Sequence, residues 1–329
     1  MRNFSTTIKV IYLIKACICM AYVGSSIASA NPLLYATDAG RQELFTLSIT
    51  NGSGSLIGRF GVAGYMADLT YDSQNDILYG TTTLTDNLYT INRVTGAANL
   101  VGPLGVPLMH GLAYDNIHGV LYGTTSTNSA LYRISTTTGH ATWVGNIGNF
   151  YPDPRNGISG LTFNPADNAL YGCISGPSYL GGLVRIDTST GQGTFLYSTQ
   201  PLTDLDFDPQ TGTLYGIDNG LGVHPNSLYT IDLATGTASL VGLTGLTNNL
   251  GLAFAPAPRP ILSTIPLPPA RLQITWPTNF TGYLLESAAA VQAATWTPVT
   301  NTIAISNGQF TVTLDADAPQ QLFRLRMPQ

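Results

Sequence analysis

The tripeptide Leu-Tyr-Gly recurs at residues 78, 121, 170 and 214, and Leu34-Tyr35-Ala36 is an altered fifth copy, giving successive offsets of 44, 43, 49 and 44 residues. A period of this length is that of a four-stranded β unit stacked on copies of itself, and it restricts the fold more than composition does. About ten residues after each copy stands a second motif: Leu44-Phe45-Thr46-Leu47, Leu88-Tyr89-Thr90-Ile91, Leu131-Tyr132-Arg133-Ile134, Leu183-Val184-Arg185-Ile186 and Leu228-Tyr229-Thr230-Ile231. From there the copies align for fifteen residues without a gap. They pass a turn pair at Asn51-Gly52, Thr95-Gly96, Thr138-Gly139, Thr190-Gly191 and Thr235-Gly236, and end at Ile57-Gly58, Val101-Gly102, Val144-Gly145 and Val241-Gly242. Leu196-Tyr197 departs from that ending.

Upstream of Leu-Tyr-Gly lies one more strand, Asp68-Leu69-Thr70-Tyr71, Gly111-Leu112-Ala113-Tyr114, Gly160-Leu161-Thr162-Phe163 and Asp204-Leu205-Asp206-Phe207. Each unit therefore offers four short strands. Asp115-Asn116, Asn164-Pro165 and Asp208-Pro209 open tight turns, and the Thr-Gly pairs supply a residue tolerant of positive φ. Both strand faces are partly apolar, as in sheets sandwiched between sheets. The first copy lacks its upstream strand, yet Gly251-Leu252-Ala253-Phe254 follows the fifth, so the simplest account returns that strand to the first unit. Such closure removes open edges. A parallel solenoid also has a fixed period, but hairpin turns and a returning strand favour a ring. The expected fold is all-β: a five-bladed β-propeller closed by a C-terminal strand, followed by a small β-sandwich.

The run Leu121 to Gly145 resembles the blades of secreted bacterial propeller repeats whose function is not established, distantly similar to the WD40 and YVTN families. The resemblance spans residues 33 to 255 and implies a fold, not an activity. Prolines follow in Ala255-Pro256-Ala257-Pro258-Arg259-Pro260 and Ile265-Pro266-Leu267-Pro268-Pro269, which suggests a semi-rigid linker over 256–269. Beyond it, Arg271 to Trp276, Tyr283 to Glu286, Trp296 to Val299, Gln309 to Leu314 and Gln321 to Arg326 alternate with period two. The run from Ile274-Thr275-Trp276 through Leu285-Glu286-Ser287 to Phe323-Arg324-Leu325-Arg326 resembles a fibronectin-III-like terminal module. That likeness implies an accessory or attachment element over 270–329.

The first thirty residues read as a basic start, an apolar stretch from Val10 to Val23 and Ala28-Ser29-Ala30, so export with cleavage after Ala30 is expected, to the periplasm, cell surface or medium. Lys15 interrupts the apolar run, against a permanent span of about 20 residues, and does not suit a lipoprotein box at Cys17. Residues 31 onward then hold ten arginines, no lysine and eighteen acids. A chain this acidic is a poor partner for nucleic acid. Cys173 becomes the single thiol, which excludes an intrachain disulfide or a cysteine zinc cluster. The mature domains, 31–255 and 270–329, are expected to act as a monomer without a membrane span.

No nucleophile elbow, P-loop, HExxH, calcium loop or dinucleotide fingerprint occurs, so neither metal nor cofactor is called for. His118 and His140 fall in turns; His110 begins an innermost strand and could face the channel. Five-bladed propellers include glycoside hydrolases with carboxylates around the axial funnel. By repeat alignment Asp68 and Asp204 are equivalent, Asp38 and Asp218 are equivalent, and Asp206 lies two residues into its strand, so five acids could gather near one mouth. The alternative is that they brace loops. The insertions Asn149 to Gly157 and Asn219 to Asn226 add Phe150, Tyr151 and Arg155, with Tyr179 nearby, as recognition elements or local packing. Two functions remain: a noncatalytic exported recognition or scaffold protein binding a glycan or an extracellular protein, and a carbohydrate-active enzyme using funnel aspartates.

Overall fold

The computed structural model describes residues 10–13, 31–126, 129–151, 157–176, 180–220, 224–289, 295–315 and 320–326. Two compact units result, Asn31–Ala257 and a second that joins part of Met1–Ala30 to Pro258–Gln329. Strand β1 (Val10–Leu13), inside the segment read as a leader, belongs to the second unit.

In the first unit, sheet I contains β2 (Leu33–Asp38), β3 (Glu43–Leu47) and β4 (Gly54–Arg59). Sheet II is β5 (Tyr65–Asp72), β6 (Ile77–Thr83), β7 (Asn87–Ile91) and β8 (Ala98–Pro103). Sheet III is β9 (Met109–Asp115), β10 (Val120–Thr125), β11 (Ala130–Ile134) and β12 (Ala141–Asn146). Sheet IV is β13 (Gly157–Asn164), β14 (Ala169–Ser175), β15 (Gly181–Ile186) and β16 (Gly193–Thr199), and sheet V is β17 (Asp204–Phe207), β18 (Leu214–Ile217), β19 (Ser227–Ile231) and β20 (Ala238–Leu243). Strand β21 (Asn249–Ala255) then pairs antiparallel with β2, Leu34 facing Phe254 and Ala36 facing Leu252, and becomes the fourth strand of sheet I.

The sheets are propeller-like in arrangement. Innermost strands β5, β9, β13, β17 and β21 touch in that order, and β21 touches β5. Their apolar side chains fill the spaces between sheets: Leu34, Phe254, Tyr215 and Leu228 form one cluster across sheets I and V, and Tyr35, Leu69, Leu78 and Ala253 another across sheets I and II. The repeated motifs explain themselves at the outer junctions. The Ile-Gly or Val-Gly of one sheet lies on the turn glycine of the next, and Cβ atoms built at Gly58, Gly102 and Gly242 would come within 2.1, 2.1 and 2.0 Å of the carbonyl oxygens of Thr95, Thr138 and Asn51. At the exceptional junction, Tyr197 lies against Gly236 instead. In every sheet the outermost strand carries a bulge, which leaves Ile57, Val101, Val144, Leu196 or Val241 without a register partner.

The second unit holds β22 (Ser263–Leu267), β23 (Arg271–Pro277), β24 (Leu284–Ala288), β25 (Thr297–Pro298), β26 (Ala304–Ser306), β27 (Gln309–Asp315) and β28 (Gln320–Arg326). One sheet runs β22-β23-β27-β26 and the other β1-β28-β24-β25. Trp276, Ile274, Leu285, Phe323 and Leu325 from both sheets share a core. Glu286 is buried and accepts hydrogen bonds from Arg324 Nε at 2.6 Å and Arg326 Nε at 2.8 Å. Burial would raise its pKa, but the two arginines outweigh that and hold it below the usual glutamate value. Strand β22 lies within the expected linker. Pro266 is tolerated there because β22 is a sheet edge, where a missing N–H need not leave a ladder bond unmade.

Two outcomes check the packing. Gly102→Ala drives a methyl into the Thr138 carbonyl and is expected to cost about 1–3 kcal/mol. Leu252→Ala, at a site 1% exposed on the returning strand, is expected to cost about 2–5 kcal/mol in urea unfolding.

Candidate functional site

The innermost strands carry bulges too. In β5, β9 and β13 the register skips Ala67, His110 and Ser159, each one residue before Asp68, Gly111 and Gly160, and in β21 it skips Leu250 together with Gly251. A bulge re-aims the extra side chain out of the ladder. His110, Ser159 and Leu250 are half-buried near the starts of their strands, with Ala67 and Thr203 buried at the equivalent places. The Ser159 hydroxyl donates to Leu202 O at 3.0 Å and Thr203 Oγ1 to Asn249 O at 2.9 Å, so each ties its sheet to the next. Burial lowers the pKa of His110, with Asp86 acting in the opposite sense. The sequence reading singled out His110 but missed Ser159 and Leu250, because period-two reading assigns the extra residue to a face without seeing the bulge.

The aspartates are internal. Asp38, Asp68, Asp204 and Asp218 are each 0% exposed. Asp68 accepts from Leu69 N at 2.6 Å and from Leu112 N of the next sheet at 2.5 Å. Asp204 accepts from Leu205 N at 2.8 Å and from Leu252 N at 2.6 Å. Gly160 and Gly251 leave room for them, since a Cβ there would fall 2.4 Å from Asp204 Cα and 2.8 Å from Asp68 Cα. Asp206 is half-buried further along the axis, taking Phe254 N at 2.6 Å and Thr162 Oγ1 at 2.7 Å. Its burial outweighs these bonds and pushes its pKa up to about 6.

Asp38 and Asp218 hold the loops after β2 and β18. Asp38 accepts from Arg41 N, from Thr247 N at 2.8 Å and from Thr247 Oγ1 at 2.7 Å. Asp218 accepts from Gly220 N and Asn226 N, both at 2.8 Å, and from the Tyr229 hydroxyl at 3.1 Å. All eight carboxylate oxygens of these four residues therefore have an internal donor.

The insertion loop is packed on its own sheet. Phe150 and Tyr151 lie against Phe195 with ring centroids 5.9 and 6.0 Å apart, and the Tyr151 hydroxyl donates to Gly181 O at 2.8 Å. Arg155 and Tyr179 lie outside the described residues. Cys173 is a buried free thiol whose pKa burial pushes up to about 12. His118 Nδ1 lies 2.7 Å from Asp115 Oδ2 in a turn. Among the described residues no group of three or more His, Cys, Asp or Glu could hold a metal, and no helix is long and apolar enough to cross a membrane.

No family model and no curated protein matches the chain. Among solved structures, a nidogen/laminin complex is similar at 16% identity, covering 77% of this chain and 97% of that one, with a TM-score of 0.48. A protein of unknown function from Bacteroides thetaiotaomicron is similar at 16% identity over 66% of this chain and 59% of that one (TM-score 0.43). The calcium-binding protein regucalcin from Agrobacterium tumefaciens is similar at 11% identity over 66% and 75% (TM-score 0.39).

Removing the Asp218 carboxylate leaves Gly220 N and Asn226 N without their acceptor, while the Tyr229 hydroxyl keeps the His224 carbonyl at 3.1 Å. Asp218→Ala is expected to cost roughly 3 kcal/mol, read as a lowered midpoint in thermal or urea unfolding.

Proposed function

We propose that the five sheets are the blades of a closed propeller, and that the chain, exported after cleavage at Ala30, is a noncatalytic recognition or scaffold protein. Its ligand is a glycan or an extracellular protein bound at the axial mouth, and the C-terminal unit serves for attachment. The observation that carries this reading is the internal use of every oxygen of Asp38, Asp68, Asp204 and Asp218. A glycosidase needs a carboxylic acid and a second carboxylate that reach a bound sugar. All five funnel acids are instead bonded to the frame, Asp206 through Thr162 Oγ1 and Phe254 N. Antiparallel pairing brings Tyr65, Leu84, Leu180 and His110 to this end of the sheets, and the first three are 44%, 71% and 41% exposed. Leu84 also has φ of 75°, an unfavourable conformation for a bulky side chain that gains little from burial. A residue kept there against its conformational preference supports a role in contact. Asp206, whose pKa lies near the range of a general acid, is the observation that favours the enzyme reading.

A glycan array with a parallel hydrolase screen on residues 31–329 distinguishes the two. For recognition, Leu84→Asn, which tolerates positive φ, is expected to weaken binding at least tenfold, about 1.4 kcal/mol, with the melting temperature unchanged or raised. Glycoside hydrolysis that Asp206→Asn abolishes without unfolding the protein would replace recognition with catalysis.

A further inference from the structure

One strand edge in the second unit lacks the features that keep edges from pairing. Open edges invite another chain to add itself, and folded proteins blunt them with short strands, proline, bulges or charges. In the second unit β22 carries Pro266, β25 is only Thr297–Pro298 and β26 only Ala304–Ser306. In the first unit each outermost strand is bulged. Strand β28 has none of these guards. It is seven residues long, contains no proline, and pairs with β24 from Leu284 opposite Arg326 to Ala288 opposite Leu322 without a register shift. Its charges do not guard it either, because Arg324 and Arg326 both donate to Glu286 on the neighbouring β24, and the Arg324 guanidinium lies 4.4 Å from the centre of the Trp296 ring.

What covers this edge is β1. Val10, Ile11, Tyr12 and Leu13 pair antiparallel with Phe323, Leu322, Gln321 and Gln320. Leu322 and Phe323 follow one another in sequence and so face opposite sides of the sheet, yet each is 1% exposed, which is the burial of an inner strand and not of a rim. The cleavage proposed at Ala30 takes β1 away and leaves β28 as the outermost strand of its sheet. The geometry points to this edge as the attachment site of the C-terminal unit, which takes by strand addition an extended, uncharged, apolar segment of a partner protein.

Resting on the export and attachment proposed above, strand addition supplies the chemistry of that attachment: backbone hydrogen bonds along β28 give affinity, and side chains at alternate positions give selectivity. A charged residue opposite Leu322 or Phe323 would lose water without gaining a partner, so the incoming segment is uncharged there. Val10-Ile11-Tyr12-Leu13 meets that condition and is made largely of residue types favoured in strands. Among the described residues β1 pairs only with Gln320 to Phe323, so a partner segment running the length of β28 gains further pairs at Arg324, Leu325 and Arg326. A second copy fits less well, because β28 paired antiparallel with its twin about Phe323 sets Arg324 against Leu322.

The probe is a fluorescent peptide with the sequence of residues 8–15, titrated into residues 31–329 and into the full chain and read by anisotropy. Residues 31–329 are expected to bind it, and the full chain, whose edge β1 occupies, to bind it about tenfold more weakly. Amide hydrogen exchange in Gln320–Arg326 is expected to slow on binding. Only alternate residues of an antiparallel strand bond to a given neighbour, so peptides N-methylated at Val10 and Tyr12 or at Ile11 and Leu13 should differ, one losing binding and the other keeping it. No binding to residues 31–329, equal binding by both chains, equal effects of the two methylated peptides, or slowed exchange confined to another strand overturns the proposal. Self-association of residues 31–329 with slowed exchange in β28 overturns the partner in favour of a second copy. A retained leader, read from the mass of the exported protein, overturns strand addition together with the export reading, whereas failure of the peptide on residues 31–329 overturns strand addition alone.

Discussion

Every innermost strand of the first unit has a neighbour in its own sheet on one side only, so its other edge carries amides that need acceptors at the axis. At two of the junctions side chains from the preceding sheet meet that need. Asp68 and Thr70 accept from Leu112 and Tyr114, and Asp204 and Asp206 accept from Leu252 and Phe254, always one repeat further along the chain. The side chain that caps an amide also fixes the spacing of two sheets. Glycine at 111, 160 and 251 is the complement of this device, because the axis is too narrow for five large side chains at one level.

The outer junctions solve the same problem with different chemistry. There, backbone lies on backbone, which explains why the Val-Gly and Thr-Gly motifs recur together. The turn glycine at 52, 96, 139, 191 and 236 has φ between 72° and 79°, and its missing side chain is the seat for the neighbouring sheet. Backbone amides reinforce the contact, as when Ala98 N donates to Phe60 O and Ala141 N to Leu104 O, both at 2.9 Å. Where Leu196-Tyr197 replaces the usual pair, an aromatic ring takes the place of the carbonyl contact, so one junction is held by side-chain packing.

The strands, their turns and the returning strand could be read from the repeats because each sheet is built from neighbouring hairpins whose signals lie within about forty residues. Depth was harder to read. Asp68 alternates with Leu69 and therefore reads as facing away from a core, yet ring closure makes that second face internal as well. The same alignment that grouped Asp38, Asp68, Asp204 and Asp218 at one end could not distinguish a mouth from a plug. His110 was singled out as the start of an innermost strand, but Ser159 and Leu250 were obscured by the bulges, which break the alternation that sequence reading depends on. Strand β22 was hidden by Pro266, whose cost depends on whether a strand is an edge, a property of the assembled sheet.

The bulge in each outermost strand has a consequence for life at high concentration. Leu56, Leu100, Trp143, Phe195 and Leu240 stand beside these bulges, all at least 36% exposed, on strands whose outer edge has no partner in its own sheet. A straight strand with such side chains would invite another copy to add itself in register, and repeated addition on five sides would produce fibres or gels. The extra residue interrupts the regular spacing of free amides and carbonyls and increases the local twist. A second chain would therefore find no long, flat edge to extend, and the apolar rim can stay in water as a set of separate small contacts.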